Sequence, residues 1–420
     1  PTACSKRPGV RLLPLLLLSA CATMRPTTLP TPRAGAPLKG GVDTHLHLTM
    51  SAAAKPFMKG EPGEGAVTTD PGERLINGVT EAQLHATGVT LVFAGLWPPL
   101  RLRPGRTALA EALHQVRELD DFMGRRPGFA LATDARDARR ILGSGRVAVL
   151  PQLEGGEGID RVEDVDALYA AGVRVITVVH FVSTQLGGAA NGQLTRALLG
   201  AKPDGALEPQ GLSPLGRAAI ERMVQLGIVI DVAHASDRFV TDVLEITEPL
   251  GVPLLVSHTA ARSLSNSERN LSDALARRVV ASGGLIGLTL NRVQLDTDPA
   301  HELGPAHRHL TCDDLIAHWK HLASVTSPEA LVLGSDVNGF ITRAFPGGLC
   351  PDGLRNYGDL SQVWGALEAN GIPRAALDGM GEQLLKLVER VEGRADESAQ
   401  ASARRRFARV RDERSVLDVP

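Results

Sequence analysis

Gly40-Gly41-Val42-Asp43-Thr44-His45-Leu46-His47-Leu48 is the stretch on which the reading of this chain turns. A short apolar run, opened by a glycine pair, closes on two histidines. Side chains two apart on a strand share a face, so His45 and His47 can reach one ion. Seven runs of the same kind follow, at 88–97, 146–155, 173–181, 227–234, 253–259, 284–290 and 331–339. Each is rich in Val, Ile and Leu and bounded by Gly, Pro or polar residues, which marks strands. The runs are almost continuously apolar rather than alternating, as parallel strands buried on both faces require. The segments between them read as helices. The clearest is 214–226, where Leu215, Ala218, Ala219, Met223 and Leu226 recur at helical spacing. Eight strands alternating with helices predict an α/β fold, a (β/α)8 TIM barrel, with its site at the C-terminal strand ends.

Seven residues stand at those ends: His45, His47, Glu154, His180, His234, His258 and Asp336. The runs 88–97 and 284–290 contribute none. Imidazole with carboxylate suits Zn2+. His45 and His47 reach one ion, His234 and His258 a second, and Glu154, with two oxygens, can bridge them. Two ions about 3.5–4 Å apart can share a hydroxide and polarise a carbonyl at once. Asp336 is placed to take a proton from that hydroxide and pass it to a leaving amine. The expected cofactor is therefore Zn2+, two per chain.

Composition bounds the rest. A net charge of −2 gives no global reason to expect a nucleic-acid partner, and 43% hydrophobic residues are ample for a core. No internal repeat interrupts the expected barrel over 41–392, and 393–420 reads as a charged C-terminal tail. There Arg404, Arg405 and Arg406 are expected on the solvated face of a helix. At the other end, Lys6, Arg7 and Arg11 precede the apolar run 12–18, which is too short to span a bilayer and reads as a secretory signal. Its end, Leu18-Ser19-Ala20-Cys21, resembles the lipobox of bacterial lipoproteins, in which the cysteine carries lipid. The expectation is a signal at 1–21, lipid on Cys21, and a Pro/Thr-rich tether at 22–40. The barrel would then sit outside the cytoplasm, held to a bacterial membrane by its lipid rather than spanning it. In that oxidising compartment Cys312 and Cys350 could pair.

The ordered motifs resemble the membrane (renal-type) dipeptidases of the metal-dependent amidohydrolase superfamily. They are Leu153-Glu154-Gly155-Gly156, Thr177-Val178-Val179-His180, Gly211-Leu212-Ser213-Pro214-Leu215-Gly216, Ile230-Asp231-Val232-Ala233-His234-Ala235-Ser236, Val256-Ser257-His258-Thr259-Ala260-Ala261-Arg262, Glu268-Arg269-Asn270-Leu271 and Gly334-Ser335-Asp336. The resemblance covers about 41–392. It implies a metal-dependent hydrolase barrel holding two zinc ions and cleaving dipeptides. By position, His45, His47 and Glu154 would hold one zinc, and Glu154, His234 and His258 the other. His180 looks like the family histidine that polarises the scissile carbonyl. Arg269 looks like the arginine that clasps the substrate's C-terminal carboxylate, a role suited to a forked guanidinium.

Two positions depart from the family. His47 stands where His-x-Asp is usual, replacing an anionic ligand with a neutral one. Asn338 stands where the family often has the second Asp of Asp-x-Asp-Gly. Both leave specificity open. The loop 291–312 contains His301, His307 and His309 but follows no strand-like ligand pattern, so no metal role is assigned to it. The insertion 183–210 is expected over the mouth, where it would set side-chain preference. The function expected is a zinc-dependent dipeptidase. The alternatives are an amidohydrolase acting on a non-peptide amide or a lactone, and a catalytically silent binding lipoprotein. Whether the chain forms a homodimer is left open.

Overall fold

Valine- and isoleucine-rich runs form the ladder that the sequence predicts. The computed structural model describes residues 36–49, 79–98, 107–190, 211–295, 312–337 and 357–408. Among them are nine strands: β1 (Gly41–Leu46), β2 (Val89–Leu96), β3 (Phe129–Leu131), β4 (Val147–Glu154), β5 (Val175–Thr177), β6 (Val229–Asp231), β7 (Leu255–Thr259), β8 (Leu285–Leu288) and β9 (Leu331–Leu333). The path β1-β2-β4-β5-β6-β7-β8-β9 is parallel throughout. The eight runs read from the sequence are these eight strands, in a nearly closed barrel surrounded by helices.

The ring joins at the site itself. Leu46 bridges Val337 in parallel, Asp336 N–H donates to His45 O at 2.8 Å, and His47 N–H donates to Val337 O at 3.1 Å. Asp43 adds a side-chain seam: its Oδ1 accepts from Ser335 N (2.9 Å) and its Oδ2 from Tyr357 OH (2.8 Å).

The sequence reading differs from the structure in two ways. It missed β3, a three-residue strand that pairs with Val147–Val149 of β4, while β5 takes the last three residues, Gln152–Glu154. Three residues give too little pattern to register. The sequence also carried three strands too far. Pairing within β5, β6 and β9 stops at Thr177, Asp231 and Leu333, and His180, His234 and Asp336 each follow three residues later. His234 (φ 67°) and Asp336 (φ 58°) are left-handed, a conformation that ends an extended run and turns the side chain inward. Strand propensity is blind to that.

The barrel interior near the site is polar and tightly filled. Thr44 Oγ1 lies 2.7 Å from Ser257 O and 3.0 Å from Leu333 O. Gly287 and Gly334 make room for this contact, since a Cβ on either would fall within 1.9 Å of Ser257 O. Outside the barrel, the helix Pro214–Leu226 forms as its spacing predicts. Ser213 caps it by accepting from Gly216 N–H, and Gly227, left-handed at φ 72°, ends it. Ala219, Met223 and Leu226 are buried. The segment read as a charged tail starts with the helix Glu397–Arg406, which buries Ala399 and Ala403 and leaves the three arginines exposed. Arg404 reaches Tyr169 OH at 2.6 Å. Residues 1–35, with Cys21 and most of the expected tether, lie outside the described residues, as do Asn338, Cys350, His301, His307, His309 and the insertion from 191 to 210.

Candidate metal centre

Glu154, the last residue of β4, is the meeting point. Its Oε1 lies 3.2 Å from His45 Nε2, 3.2 Å from His180 Nε2, 3.4 Å from His234 Nε2 and 3.8 Å from His258 Nε2; its Oε2 lies 3.4 Å from His47 Nε2. Asp336 Oδ1 stands 3.9 Å from both His45 Nε2 and His47 Nε2. Six of the seven residues are buried, and Asp336 is nearly so. The structure thus brings together every strand-end residue singled out in the sequence.

The donor set fits divalent cations. Ligands 2.0–2.2 Å from a tetrahedral ion stand roughly 3.3–3.6 Å apart. The His47–Glu154 and His234–Glu154 separations, both 3.4 Å, fall in that range, and His45–Glu154, at 3.2 Å, lies just below it. Three overlapping groups have donor atoms within 4.8 Å of one another: His45–His47–Asp336, His45–Glu154–His258, and Glu154–His180–His234. His45 Nε2 is buried with no hydrogen-bond partner. Electrostatics point the same way. Burial opposes charge on His45, yet Glu154 and Asp336 outweigh it and lift this imidazole to about 9. Burial would raise Glu154, but His180 and His45 hold it well below the carboxylate range. The centre of the cluster therefore favours positive charge. Burial, with Arg269 and His180, pushes His234 well down; burial, with His45 and His234, does the same to His258. Both are then neutral imidazoles, the form that binds metal.

Strands without a ligand still shape the site. A Cβ on Gly95 of β2 would come within 2.9 Å of the His47 ring and 3.2 Å of the His45 ring, so glycine leaves the space both rings occupy. The sequence reading passed over two residues that hold the rings of candidate ligands. Gln152 Oε1 lies 2.9 Å from His45 Nδ1, and Ser257 Oγ lies 2.9 Å from His258 Nδ1. The available signal was a polar residue inside an otherwise apolar strand run.

Arg269 joins the cluster, with Nη2 3.0 Å from His234 Nε2. Its Nη1 is buried without a hydrogen-bond partner. Burial pulls its guanidinium down to about 10, which leaves it cationic at neutral pH. The neighbouring Arg262 is differently employed, gripping Asp237 through two nitrogens at 2.5 and 2.6 Å. At the rim, Phe181 is 43% exposed, and its ring centre lies 3.8 Å from that of His180. Trp97 packs edge-on to His180 at 5.3 Å.

The family model of the membrane dipeptidases, peptidase family M19, matches residues 42–402. The chain belongs to the membrane dipeptidase family. A relative described as an uncharacterized dipeptidase of Schizosaccharomyces pombe is 29% identical over 254 residues, 59% of this chain and 54% of that protein. The match thus spans about half the length of that relative. A Klebsiella pneumoniae protein encoded in the pqqA 5' region is 27% identical over 249 residues, 59% of this chain and 83% of its own. Among solved structures, a metallopeptidase from Rhodobacter sphaeroides, liganded with a phosphinate mimic of the dipeptide L-Ala-D-Ala, superposes with a TM-score of 0.66 at 21% identity, over 85% of this chain and 99% of that one. Dipeptidase AC of family M19 gives 0.65 at 22% identity, over 86% and 99%. These likenesses establish the barrel. In this member of the family, His47 Nε2 reaches both Glu154 and Asp336.

Proposed function

We propose that this chain is a zinc-dependent dipeptidase that holds two ions around Glu154 and cleaves dipeptides bearing a free C-terminal carboxylate. One observation carries the reading: five imidazole Nε2 atoms surround the Glu154 carboxylate at 3.2–3.8 Å, with a cationic arginine beside them whose Nη1 has no hydrogen-bond partner. On this reading His45, His47 and Glu154 hold one ion, and Glu154, His234 and His258 the other. When bound, the ions supply an acidified water and polarise the scissile carbonyl. The protein's own residues do the rest. His180, held against Trp97 and Phe181, donates to the carbonyl oxygen as negative charge grows there. Asp336, whose carboxyl is lifted to about 6 by burial and the nearby Glu154, takes up a proton and returns it to the departing amine. Arg269 forks onto the substrate carboxylate and fixes substrate length.

A panel of L,L- and L,D-dipeptides assayed with and without chelator tests this, together with elemental analysis of the purified chain. Chelator-sensitive cleavage and two zinc ions per chain are expected. No chelator-sensitive cleavage of any dipeptide would remove the reading. His47 motivates a second reading, hydrolysis of a non-peptide amide or a lactone, because a neutral ligand in place of an anion raises the charge of the site by one unit. That reading predicts turnover indifferent to loss of Arg269. We also propose that the chain is lipid-anchored through Cys21 outside the cytoplasm. Metabolic labelling with an alkyne fatty acid should mark the chain and leave Cys21→Ala unmarked; equal labelling of both would refute the anchor.

A further inference from the structure

Five donors converge on one buried carboxylate that has no place in the chemistry above. Asp231, the last residue of β6, is fully buried. Its Oδ1 accepts from Ala233 N (3.0 Å) and Ser257 N (2.8 Å); its Oδ2 accepts from Gln152 Nε2 (3.0 Å), Thr177 Oγ1 (2.5 Å) and Ser257 Oγ (2.5 Å). Two of these donors, Gln152 and Ser257, are the groups that hold the Nδ1 atoms of His45 and His258. Two hydrogen-bonded chains therefore run from one carboxylate to two rings that stack on each other, centroids 4.1 Å apart, and both face Glu154 Oε1.

We infer that Asp231 is a shared positioning residue that sets the tautomers of His45 and His258 together, and so prepares both ion positions at once. The argument is one of polarity. A carboxylate offers only acceptors. Ser257 must spend its single O–H proton on Asp231, so toward His258 its oxygen can only accept. His258 then carries its proton on Nδ1 and turns the Nε2 lone pair to the site, where His234 Nε2 lies 2.8 Å away. Gln152 must likewise turn its NH2 group to Asp231, which leaves Oε1 facing His45. His45 then holds a proton on Nδ1, which leaves Nε2, 3.2 Å from Glu154 Oε1, as the ring's one atom for an ion. Neither ring can reverse without breaking a fully buried hydrogen bond, and such outer partners are worth 10–100-fold in metal affinity. The inference rests on the two-ion reading given above.

Asp231→Asn keeps the shape and reverses the polarity. Its NH2 group meets Ser257, frees the serine proton to point at His258 Nδ1, and drives the imidazole proton onto Nε2. Zinc affinity of the full chain is measured by competition with a chromogenic chelator, and stoichiometry by elemental analysis after equilibrium dialysis. Circular dichroism melting reports folding separately. Asp231→Asn should weaken both ions by at least about 10-fold. Gln152→Leu and Ser257→Ala should each weaken one ion and spare the other, and the double variant should reproduce Asp231→Asn. Should Asp231→Asn fail to fold, the two single variants decide the matter. Loss of both ions, or of neither, in each single variant overturns the inference. So does a folded Asp231→Asn that binds two zinc ions with unchanged affinity. Wild-type protein that takes up fewer than two ions overturns the two-ion reading itself, and the inference with it.

Discussion

Replacing Arg269 by methionine should separate substrate recognition from folding. Its guanidinium is buried, still cationic with its pKa pushed down to about 10, and one nitrogen, Nη1, has no partner. Its single ring contact is Nη2 to His234 Nε2 at 3.0 Å. An unsatisfied buried donor costs the fold about 1–3 kcal/mol. A substrate carboxylate would satisfy it through charge-assisted hydrogen bonds worth about 1.5–3 kcal/mol. Removing the arginine therefore forfeits that binding energy, which raises KM about 10- to 150-fold for a dipeptide with a free carboxylate. For the same dipeptide carrying a C-terminal amide, KM should change less than about 3-fold, because the forfeited pairing was never made. The unfolding temperature should hold or rise, since methionine carries no charge to desolvate. The assay is steady-state hydrolysis of the matched acid and amide, with a thermal melt alongside. Equal losses on the two substrates, or a melt lowered by many degrees, would show that Arg269 supports the fold rather than reading a carboxylate.

Three further outcomes follow from the same geometry. Asp336→Asn should lower kcat by roughly 10²–10⁴-fold while two ions remain bound, because proton transfer is lost and the ligands are not; kcat within 10-fold of wild type would refute the role. His318, fully buried, accepts from Ala261 N–H at 3.0 Å through Nδ1 and donates to Leu295 O at 3.1 Å, and burial depresses it from 6.5 to about 4. Below pH 6.5 the unfolded chain takes up a proton that the folded chain refuses, so this contribution to stability is intact above 6.5 and drains away as pH falls towards 4, by at most ~3 kcal/mol. His318→Gln should melt lower than wild type at pH 7.5 but lose less between pH 6.5 and 4; parallel pH profiles of the two proteins would rule this out. Gly334→Ala puts a Cβ 1.8 Å from Ser257 O, a backbone atom that cannot swing aside. It should cost ~3 kcal/mol in denaturant unfolding, and an unchanged midpoint would show that the barrel yields there.

The eight barrel strands and the cluster of candidate ligands were legible because they rest on local pattern. Apolar runs mark buried parallel strands, a period of two puts His45 and His47 on one face, and the strand ends collect His180, His234, His258, Glu154 and Asp336 at one mouth. What the pattern could not supply was anything fixed by long-range closure. The left-handed turns at His234 and Asp336 are set by the neighbours that hold them, with Asp336 N–H bound to His45 O across the seam. Strand β3 is too short to announce itself.

Sequence alone determined which side chains could meet, because secondary-structure period and strand polarity follow from nearest neighbours. Only the tertiary structure decided how they are held. Arg262 and Arg269 lie seven residues apart in one segment, and in sequence only the family resemblance told them apart. Folding assigns the first to Asp237 and turns the second toward His234. In the same way, Gln152 and Ser257 looked like stray polar residues until barrel closure brought Asp231 within reach of both. A hydrogen-bond partner some 26 or 79 residues away is chosen by the curvature and register of the whole sheet, and no local stretch of chain encodes that choice.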